Sequence, residues 1–521
     1  MRSFWFLPAF VLASCSPTDG VEDRKGTSGS DDRYGDTSES DGGDADADGD
    51  SDSDADADSD TDADYDTGAE TDTDTDSGDP EDTGEACNDV DPVTLYISPD
   101  DSNSMSAAVL ARMAVLDGWG SIASLPTRTH EFMNYYDFDY PPAEPGSLRI
   151  TPSMVASEDG TWSLQIGVSS PAVTNDERDA MNLVFSLDTS CSMKGVPLAN
   201  LKSTMGAIAA NLRKGDVVSL IQWAEVPEIQ LEEHAITGPN DEALLKVVAA
   251  LAEDGTTNLS EGLALAYDVA ERNHSASMLS RVVLITDGGA NVGLTDEKRI
   301  AAYAAREFGE GIYLAGVGVG TGATYEDEVV DTITDLGKGA STFVGDEAEA
   351  VRTFGGERFV QLFDVAARDV RIELKLPAGF EFLRTSAEEV SSNPAEVEPQ
   401  NLASDDSIVM HNVITTCAPD LVNDASAVLM TVSWEDPSTA EAKSTSGVYT
   451  FAELLAVDPG LLQKGAAVFA YAEVFQLWKE RGNGADRTAA VAAALETVAK
   501  AQDALPGDAD LAEIRSVLEA F

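Results

Sequence analysis

Asp188-Thr189-Ser190-Cys191-Ser192 places one carboxylate and two hydroxyls at alternate positions, directly after the apolar run Met181 to Leu187. Oxygen donors of this kind suit a small, hard cation, because Mg²⁺ takes about six oxygen ligands near 2.1 Å and keeps several of its waters. The two hydroxyls can bind such an ion directly while Asp188 holds a coordinated water. Two further pieces add oxygens. Asp254-Gly255-Thr256-Thr257-Asn258 puts a third hydroxyl, Thr257, on a glycine-bearing loop ahead of a helical stretch. Ser280 to Thr286 reads as a second buried strand and runs into Asp287-Gly288-Gly289. One D-x-S-x-S is a common pattern and means little alone; the two further pieces offer the oxygens that a cation site would need.

Those pieces must be carried on strands and helices. The run before Asp188 lacks period-2 alternation, as expected of a central parallel strand covered on both faces. After it, Lys194-Gly195-Val196-Pro197 turns the chain into helical spacing at Leu198, Leu201, Met205, Ile208 and Leu212. In open α/β sheets, ligands sit at the carboxyl ends of such strands. The rhythm continues with a strand over 216–223, helices over 242–251 and 260–272, and a strand over 311–320. Gly316-x-Gly318-x-Gly320 at the end of that strand does not make a dinucleotide fingerprint, which needs the first strand-to-helix turn and an acidic residue downstream.

The three oxygen-bearing pieces resemble the von Willebrand factor A domain with its metal-ion-dependent adhesion site, over about residues 180 to 362. The resemblance implies an α/β, doubly wound, mainly parallel (Rossmann-like) sheet. It implies Asp188, Ser190, Ser192, Thr257 and Asp287 as ligands of Mg²⁺, or of another divalent cation such as Mn²⁺ or Ca²⁺. It also implies a protein partner that presents an Asp or Glu carboxylate. Between the two serines the family usually has a small residue, often glycine; here Cys191 stands there, read as a small side chain tolerated beside the site. The block Glu131-Phe132-Met133-Asn134-Tyr135-Tyr136-Asp137-Phe138-Asp139-Tyr140-Pro141 resembles the N-terminal flank of bacterial von Willebrand A proteins of the YfbK group. Its aromatic rings are expected to form a packed wedge.

At the start of the chain, Met1-Arg2 and the apolar run Phe4 to Ala13 form a signal peptide too short to span a bilayer permanently. It ends in Leu12-Ala13-Ser14-Cys15, which resembles a bacterial lipobox, so residues 1–14 are expected to be removed and Cys15 to carry the lipid. Acyl chains gain roughly 0.8 kcal/mol per buried methylene, and several chains on one cysteine anchor firmly. Ser16 follows, with no acidic residue there to argue for inner-membrane retention. From Asp31 to Ala86 the chain carries 25 acidic residues against Arg33 alone. It has almost nothing apolar to offset its ordering entropy, so residues 15–89 are expected to be a disordered linker. A flexible coil of that length averages roughly 45 Å end to end, and self-repulsion extends it. Asp44-x-Asp46-x-Asp48-Gly49 copies the start of an EF-hand loop, but the twelfth position is Ala55 where a glutamate is required.

Alternating strands flank the A domain on both sides: Trp162 to Val168 before it, and Val370 to Leu376, Ile408 to Thr415 and Ala427 to Trp434 after it. An A domain over 179–363, inserted into a β-sandwich built from 90–178 and 364–452, follows from that pattern, since chain ends that lie close together make insertion easy. Residues 453–521 have helical spacing and are expected to pack on the sandwich. Once Cys15 is lipidated, Cys87, Cys191 and Cys417 allow three pairings, each leaving one thiol over; Cys87 with Cys417 is favoured. The four histidines show no ligand or triad spacing. A net charge of −63 excludes nucleic acid as a partner, because phosphate binding needs a basic surface.

Together these readings imply a non-enzymatic binding protein anchored by lipid in the cell envelope, at the outer membrane or cell surface. The alternative is a structural envelope lipoprotein whose metal only braces the loop. Lipidation has a direct check. Metabolic labelling with a fatty acid is expected to mark the wild type and not Cys15→Ala; equal labelling of both sinks the assignment.

Overall fold

A computed structural model describes residues 87–99, 103–119, 125–275, 277–288, 311–320, 325–356, 358–481 and 486–521. The expected signal peptide, Cys15 and the acidic linker up to Ala86 lie outside them. Before the A domain come β1 (Val93–Ser98), α1 (Ser106–Leu116), α2 (Thr129–Tyr135), β2 (Arg149–Ala156) and β3 (Trp162–Ser169). The A domain follows as β4 (Ala180–Asp188), α3 (Val196–Asn211), β5 (Val217–Trp223), β6 (Glu228–Ala235), α4 (Glu242–Ala250), α5 (Leu259–Arg272) and β7 (Met278–Thr286). It continues through β8 (Tyr313–Gly318), α6 (Asp327–Leu336), β9 (Ser341–Phe343), α7 (Glu347–Phe354) and α8 (Arg358–Phe363). The chain then returns to strands: β10 (Ala367–Leu376), β11 (Phe380–Thr385), β12 (Glu389–Ser391), β13 (Gln400–Leu402), β14 (Ser407–Thr416), β15 (Ala427–Glu435) and β16 (Ala442–Thr450). It ends in α9 (Phe451–Leu455), α10 (Gly460–Arg481), α11 (Asp486–Ala504) and α12 (Ala509–Ala520).

The A-domain sheet runs β6-β5-β4-β7-β8-β9, parallel throughout except for the β5–β6 pair. Strand β4 is central, and its side chains divide between two cores. Leu183, Phe185 and Leu187 pack with Leu201, Met205 and Ile208 of α3, while Val184 packs with Leu263, Ala266 and Tyr267 of α5. Helices therefore cover both faces, which explains the missing alternation. The sheet is the doubly wound one expected.

The strands on either side of this domain pair with one another. One antiparallel sheet runs β12-β1-β10-β15-β16 with β13 on β10, the other β11-β14-β3-β2. Their inner faces share one core: Leu164 and Ile166 of β3, Ile372 and Leu374 of β10, Met430 and Val432 of β15. Along β15 every second residue is buried, so the period-2 pattern is the sandwich's own. The A domain is thus inserted between β3 and β10. At its entry Arg178 grips Asp216 with two bonds of 2.8 and 2.6 Å, both side chains fully buried. Asp216 also accepts the amides of Met181 and Arg213, and the guanidinium lies over the ring of Phe359.

The carboxyl-terminal helices have two partners. Helices α10, α11 and α12 form one core with α1 and α2, in which Phe132, Tyr135 and Tyr136 are the buried aromatic wedge. Both α9 and α10 contact the sandwich sheet carrying β14, and Phe451 and Leu454 of α9 lie in the sandwich core. Charge holds this layer to the A domain: Arg352 bonds Glu513 and Asp510 at 2.8 Å each, and Arg112 bonds Glu349 and Glu513. Among the described residues no helix is long and apolar enough to cross a membrane. Cys87 and Cys417 are joined by a disulfide, their Cα atoms 5.8 Å apart. Cys191 is disulfide-bonded as well, so no thiol is left over among the described cysteines. That differs from the expectation of one spare thiol among Cys87, Cys191 and Cys417.

His411 on β14 is buried, and its Nδ1 lies 3.1 Å from Gln165 Oε1. The Gln165 amide nitrogen is committed to Tyr140 and to the Leu461 carbonyl, so its oxygen accepts and Nδ1 carries the proton. Burial, helped by nearby Arg384, lowers the His411 pKa to about 3. The unfolded chain therefore takes up a proton near pH 6.5 that the folded chain refuses until about pH 3. This stabilising contribution is complete above pH 6.5 and is lost on acidification at roughly 1.4 kcal/mol per pH unit. Urea unfolding between pH 7 and 5 is expected to show a shallower slope for His411→Gln than for wild type; identical slopes would refute it.

Candidate metal centre

Strand β4 delivers Asp188 to the end of the sheet, between β5 and β7. Two loops are stitched to it there by backbone bonds. Thr189 donates to the Trp223 carbonyl at 2.8 Å, and its own carbonyl accepts from Asp254 at 2.8 Å. Cys191 donates to Gly255 at 3.2 Å, and Asn258 to Ala224 at 2.9 Å. The 254–258 loop therefore lies against the Asp188 loop, with Thr257 buried on it. Gly255 supplies a left-handed backbone at φ +68°. Cys191–Met193 form one turn of 3₁₀ helix, and α3 starts just beyond, with Pro197 in its first turn.

Asp287 arrives from β7. The glycine behind it is required twice over: Gly288 has φ +80°, and a Cβ there would lie 2.5 Å from the Glu326 carbonyl oxygen. This close approach lets Glu326 donate to the Asp287 carbonyl at 3.1 Å. The Asp-Gly pair in the sequence is therefore a packing requirement as well as a ligand position.

Four of the five expected ligands converge by hydrogen bonds. Asp188 Oδ1 accepts from the Ser190 amide at 2.8 Å, Ser190 Oγ lies 3.0 Å from Ser192 Oγ, and Ser192 Oγ donates to Asp287 Oδ1 at 3.1 Å. Thr257 joins through its loop; among the described residues no hydrogen bond links its hydroxyl to the other four. Ligands next to each other around an octahedral cation at about 2.1 Å sit about 3.0 Å apart, so this oxygen spacing suits Mg²⁺. Among the described residues no three His, Cys, Asp or Glu side chains converge to hold a metal, so a zinc-type donor set is absent there. Two carboxylates with hydroxyls and water make a hard-oxygen set.

Electrostatics agree. Asp188 is fully buried, and burial pushes its pKa up to about 7, with Asp287 adding to the rise. Its two hydrogen bonds, from the Thr286 hydroxyl at 2.6 Å and the Ser190 amide, hold it lower than burial alone would. A dehydrated carboxylate raised in this way, beside the buried Asp287, is one that a divalent cation would stabilise.

Sequence reading missed two supporting residues. Thr286 bonds Asp188 Oδ2 and accepts the Gly288 amide, linking the two acidic loops. Its signal was a hydroxyl at the last position of an apolar strand. Trp223, fully buried, anchors Thr189 through its carbonyl and donates Nε1–H to Ser186 at 2.9 Å.

Residues 182–354 match the von Willebrand factor type A domain family, so the chain carries such a domain around this cluster. Domains of this family generally mediate protein interactions, are generally not enzymes, and commonly bind a divalent metal. Among curated proteins the chain is similar to YfbK of Escherichia coli (strain K12), 27% identical over 48% of this chain and 44% of that protein. It is also similar to sll0103 of Synechocystis sp., 24% identical over 48% of this chain and 58% of that protein. The chain therefore matches about half the length of these relatives. Among solved structures it is similar to a von Willebrand factor type A protein from Catenulispora acidiphila, with a TM-score of 0.44 and 13% identity, over 68% of this chain and 87% of that one.

Gly262 on α5 faces Trp223, and a Cβ there would sit 2.4 Å from the indole. Alanine gains about 1 kcal/mol of helix propensity, while overpacking a dense core costs about 1–3 kcal/mol. Gly262→Ala is therefore expected to lower the urea midpoint; a raised midpoint would contradict this packing.

Proposed function

We propose that this protein is a surface-anchored, metal-dependent protein-binding module for adhesion or complex assembly. Asp188, Ser190, Ser192, Thr257 and Asp287 would hold Mg²⁺, or Mn²⁺ or Ca²⁺ in its place. When bound, the cation supplies a positively charged centre that a carboxylate can approach. The observation that carries this reading is the run of ligand oxygens 3.0 and 3.1 Å apart beside a fully buried Asp188. The chain's part is to dehydrate the two aspartates, to orient the serine hydroxyls and to leave room for an Asp or Glu of a partner protein. Cys15 would fix the protein to the membrane by lipid, in the cell envelope, with the outer membrane or cell surface as its place.

The rival reading, a structural protein whose metal only braces the loop, has less support. Backbone bonds at Thr189, Asp254 and Cys191 already tie the loops to one another without a cation. Bracing would add little, whereas a dehydrated pair of acids costs stability unless it is used.

The test is a Mg²⁺ titration by calorimetry, paired with partner capture from envelope extract with and without EDTA. Asp188→Asn is expected to lose Mg²⁺ binding and capture together while raising the unfolding temperature of the metal-free protein, because one buried charge is removed. Capture that survives both EDTA and the substitution would overturn the adhesion reading and leave the bracing role.

A further inference from the structure

A cavity of about 410 Å³ lies at the opposite edge of the A-domain sheet, where that domain meets the sandwich and the aromatic segment. Its volume is in the range of single small-ligand sites, which favour such domain junctions. Arg281 lines it from the start of β7, six residues before Asp287 and therefore roughly 20 Å from the candidate metal centre.

Arg281 is 4% exposed. Its Nη1 donates to the Ser280 carbonyl at 2.9 Å, and its guanidinium lies over the ring of Tyr313, 4.8 Å from the centroid. Among the described residues no carboxylate lies within ion-pairing distance of it. The contrast with Arg178 is informative. Both arginines are buried, in a chain with 95 acidic residues against 32 basic ones, yet only Arg178 is paired, by two bonds to Asp216. Asp364 is near enough to act on Arg281 but makes no ion pair with it; a buried guanidinium without such a pair is costly, and this one lines a cavity.

Lys338 adds a second cation to the same lining. It stands in a left-handed backbone at φ +49° between Gly337 and Gly339. That turn is pressed on β8, since Leu314 donates to the Gly337 carbonyl at 3.1 Å and Gly316 to that of Ala340 at 2.9 Å. The lysine is exposed, so it borders the cavity on its solvent side.

The facing walls carry the other sign. Asp405 and Asp406 come from the loop before β14, and Asp139 from the aromatic segment. A third cation in the lining, Arg358, is bonded to Asp137 at 2.6 Å. Arg358 also acts on Asp406, while Arg281 and Lys338 make the rest of the A-domain wall cationic and Asp139, Asp405 and Asp406 make the opposite walls anionic. A ligand of a single sign meets repulsion from one side or the other. A molecule with a charge of each sign at its two ends meets attraction from both. Phe138, Tyr140 and Tyr313 offer apolar surface between them.

We propose that this cavity binds a small zwitterion of the α-amino acid class, with its carboxylate on Arg281 and Lys338 and its ammonium toward Asp406. The site is separate from the cation site and does not depend on it. It would let a small molecule bridge the A domain and its platform.

The test uses the full chain in mild detergent with EDTA present, which keeps it independent of any bound cation. Thermal unfolding is followed with each of the twenty standard amino acids, and calorimetry is run on those that shift it. At least one, with an apolar side chain, is expected to raise the unfolding temperature, while its methyl ester and its N-acetyl form do not. Arg281→Gln is expected to weaken that binding by about a hundredfold, as for loss of one member of a buried charge pair. Lys338→Gln, at an exposed position, keeps the fold and is expected to weaken it by about tenfold; it decides the matter if Arg281→Gln fails to fold. The proposal is overturned if none of the twenty shifts the wild type, if either blocked form binds as tightly as its parent, or if the substitutions leave the affinity unchanged.

Discussion

Asp188 sits at the end of a strand whose two faces are both covered, so its carboxylate has lost its water and holds two hydrogen bonds in exchange. Keeping a charge there constrains much of the domain. The strand must be central, so that the loops after β4, β5 and β7 can surround its end. The sheet order meets this requirement, because the chain passes from β4 to β5 on one side and later crosses to β7 on the other. The crevice at this reversal is where open α/β sheets hold their ligands. Trp223, Gly262 and Gly288 then set how closely the loops approach, through one buried indole and two positions where a Cβ has no room.

The rest of the molecule makes a rigid platform for that domain. Several of its scarce basic residues are used inward. Arg178 with Asp216 locks the entry point, while Arg112 and Arg352 with Glu349, Glu513 and Asp510 join the terminal helices to α7. Removing one member of a buried pair costs about 3–5 kcal/mol, so these contacts specify how the layers sit even where an apolar pair would have been as stable. An inserted domain has both of its ends in one sandwich. The domain is therefore held by β3 and β10 together, and each has a strand paired on both sides.

Much of the fold was legible because burial writes itself into residue type. The continuous apolar runs at β4, β7 and β8 and the alternation along β10, β14 and β15 are direct consequences of two covered faces or one. The oxygen donors were legible too, since Asp188, Ser190, Ser192 and Asp287 lie at the ends of those runs. What escaped lacked such a signal. Strand β6 is an exposed edge, with Glu228, Gln230, Glu232 and Glu233 along it, and Ile229 and Leu231 are too few to mark it. Strand β16 is another polar edge, Ala442-Lys443-Ser444-Thr445-Ser446, held by its full register with β15. The helix partners of the terminal segment were not legible either. Spacing shows that Tyr471 and Phe475 share a face but not that Phe132 lies against them. Thr286 escaped because a hydroxyl in a strand is ordinary until the carboxylate beside it is located.

The acidity of the chain bears on recognition in two ways that differ in range. With both aspartates ionised, Asp188 and Asp287 balance the charge of one divalent cation, so at contact distance the loaded cluster is neutral and another carboxylate meets no excess of negative charge. Beyond the Debye length, about 8 Å at physiological ionic strength, fixed charges are screened, and the surplus of acids acts chiefly when salt is dilute. Dilute salt would therefore slow the approach of an acidic partner, although contact at the proposed cation would favour a carboxylate. Such an opposition separates encounter from binding. A partner that carries one carboxylate on a neutral or basic surface satisfies both ranges, whereas an acidic surface satisfies only the inner one. Selectivity on this view comes from the repulsive field of the chain as much as from the attractive centre that the five oxygen-bearing residues would surround.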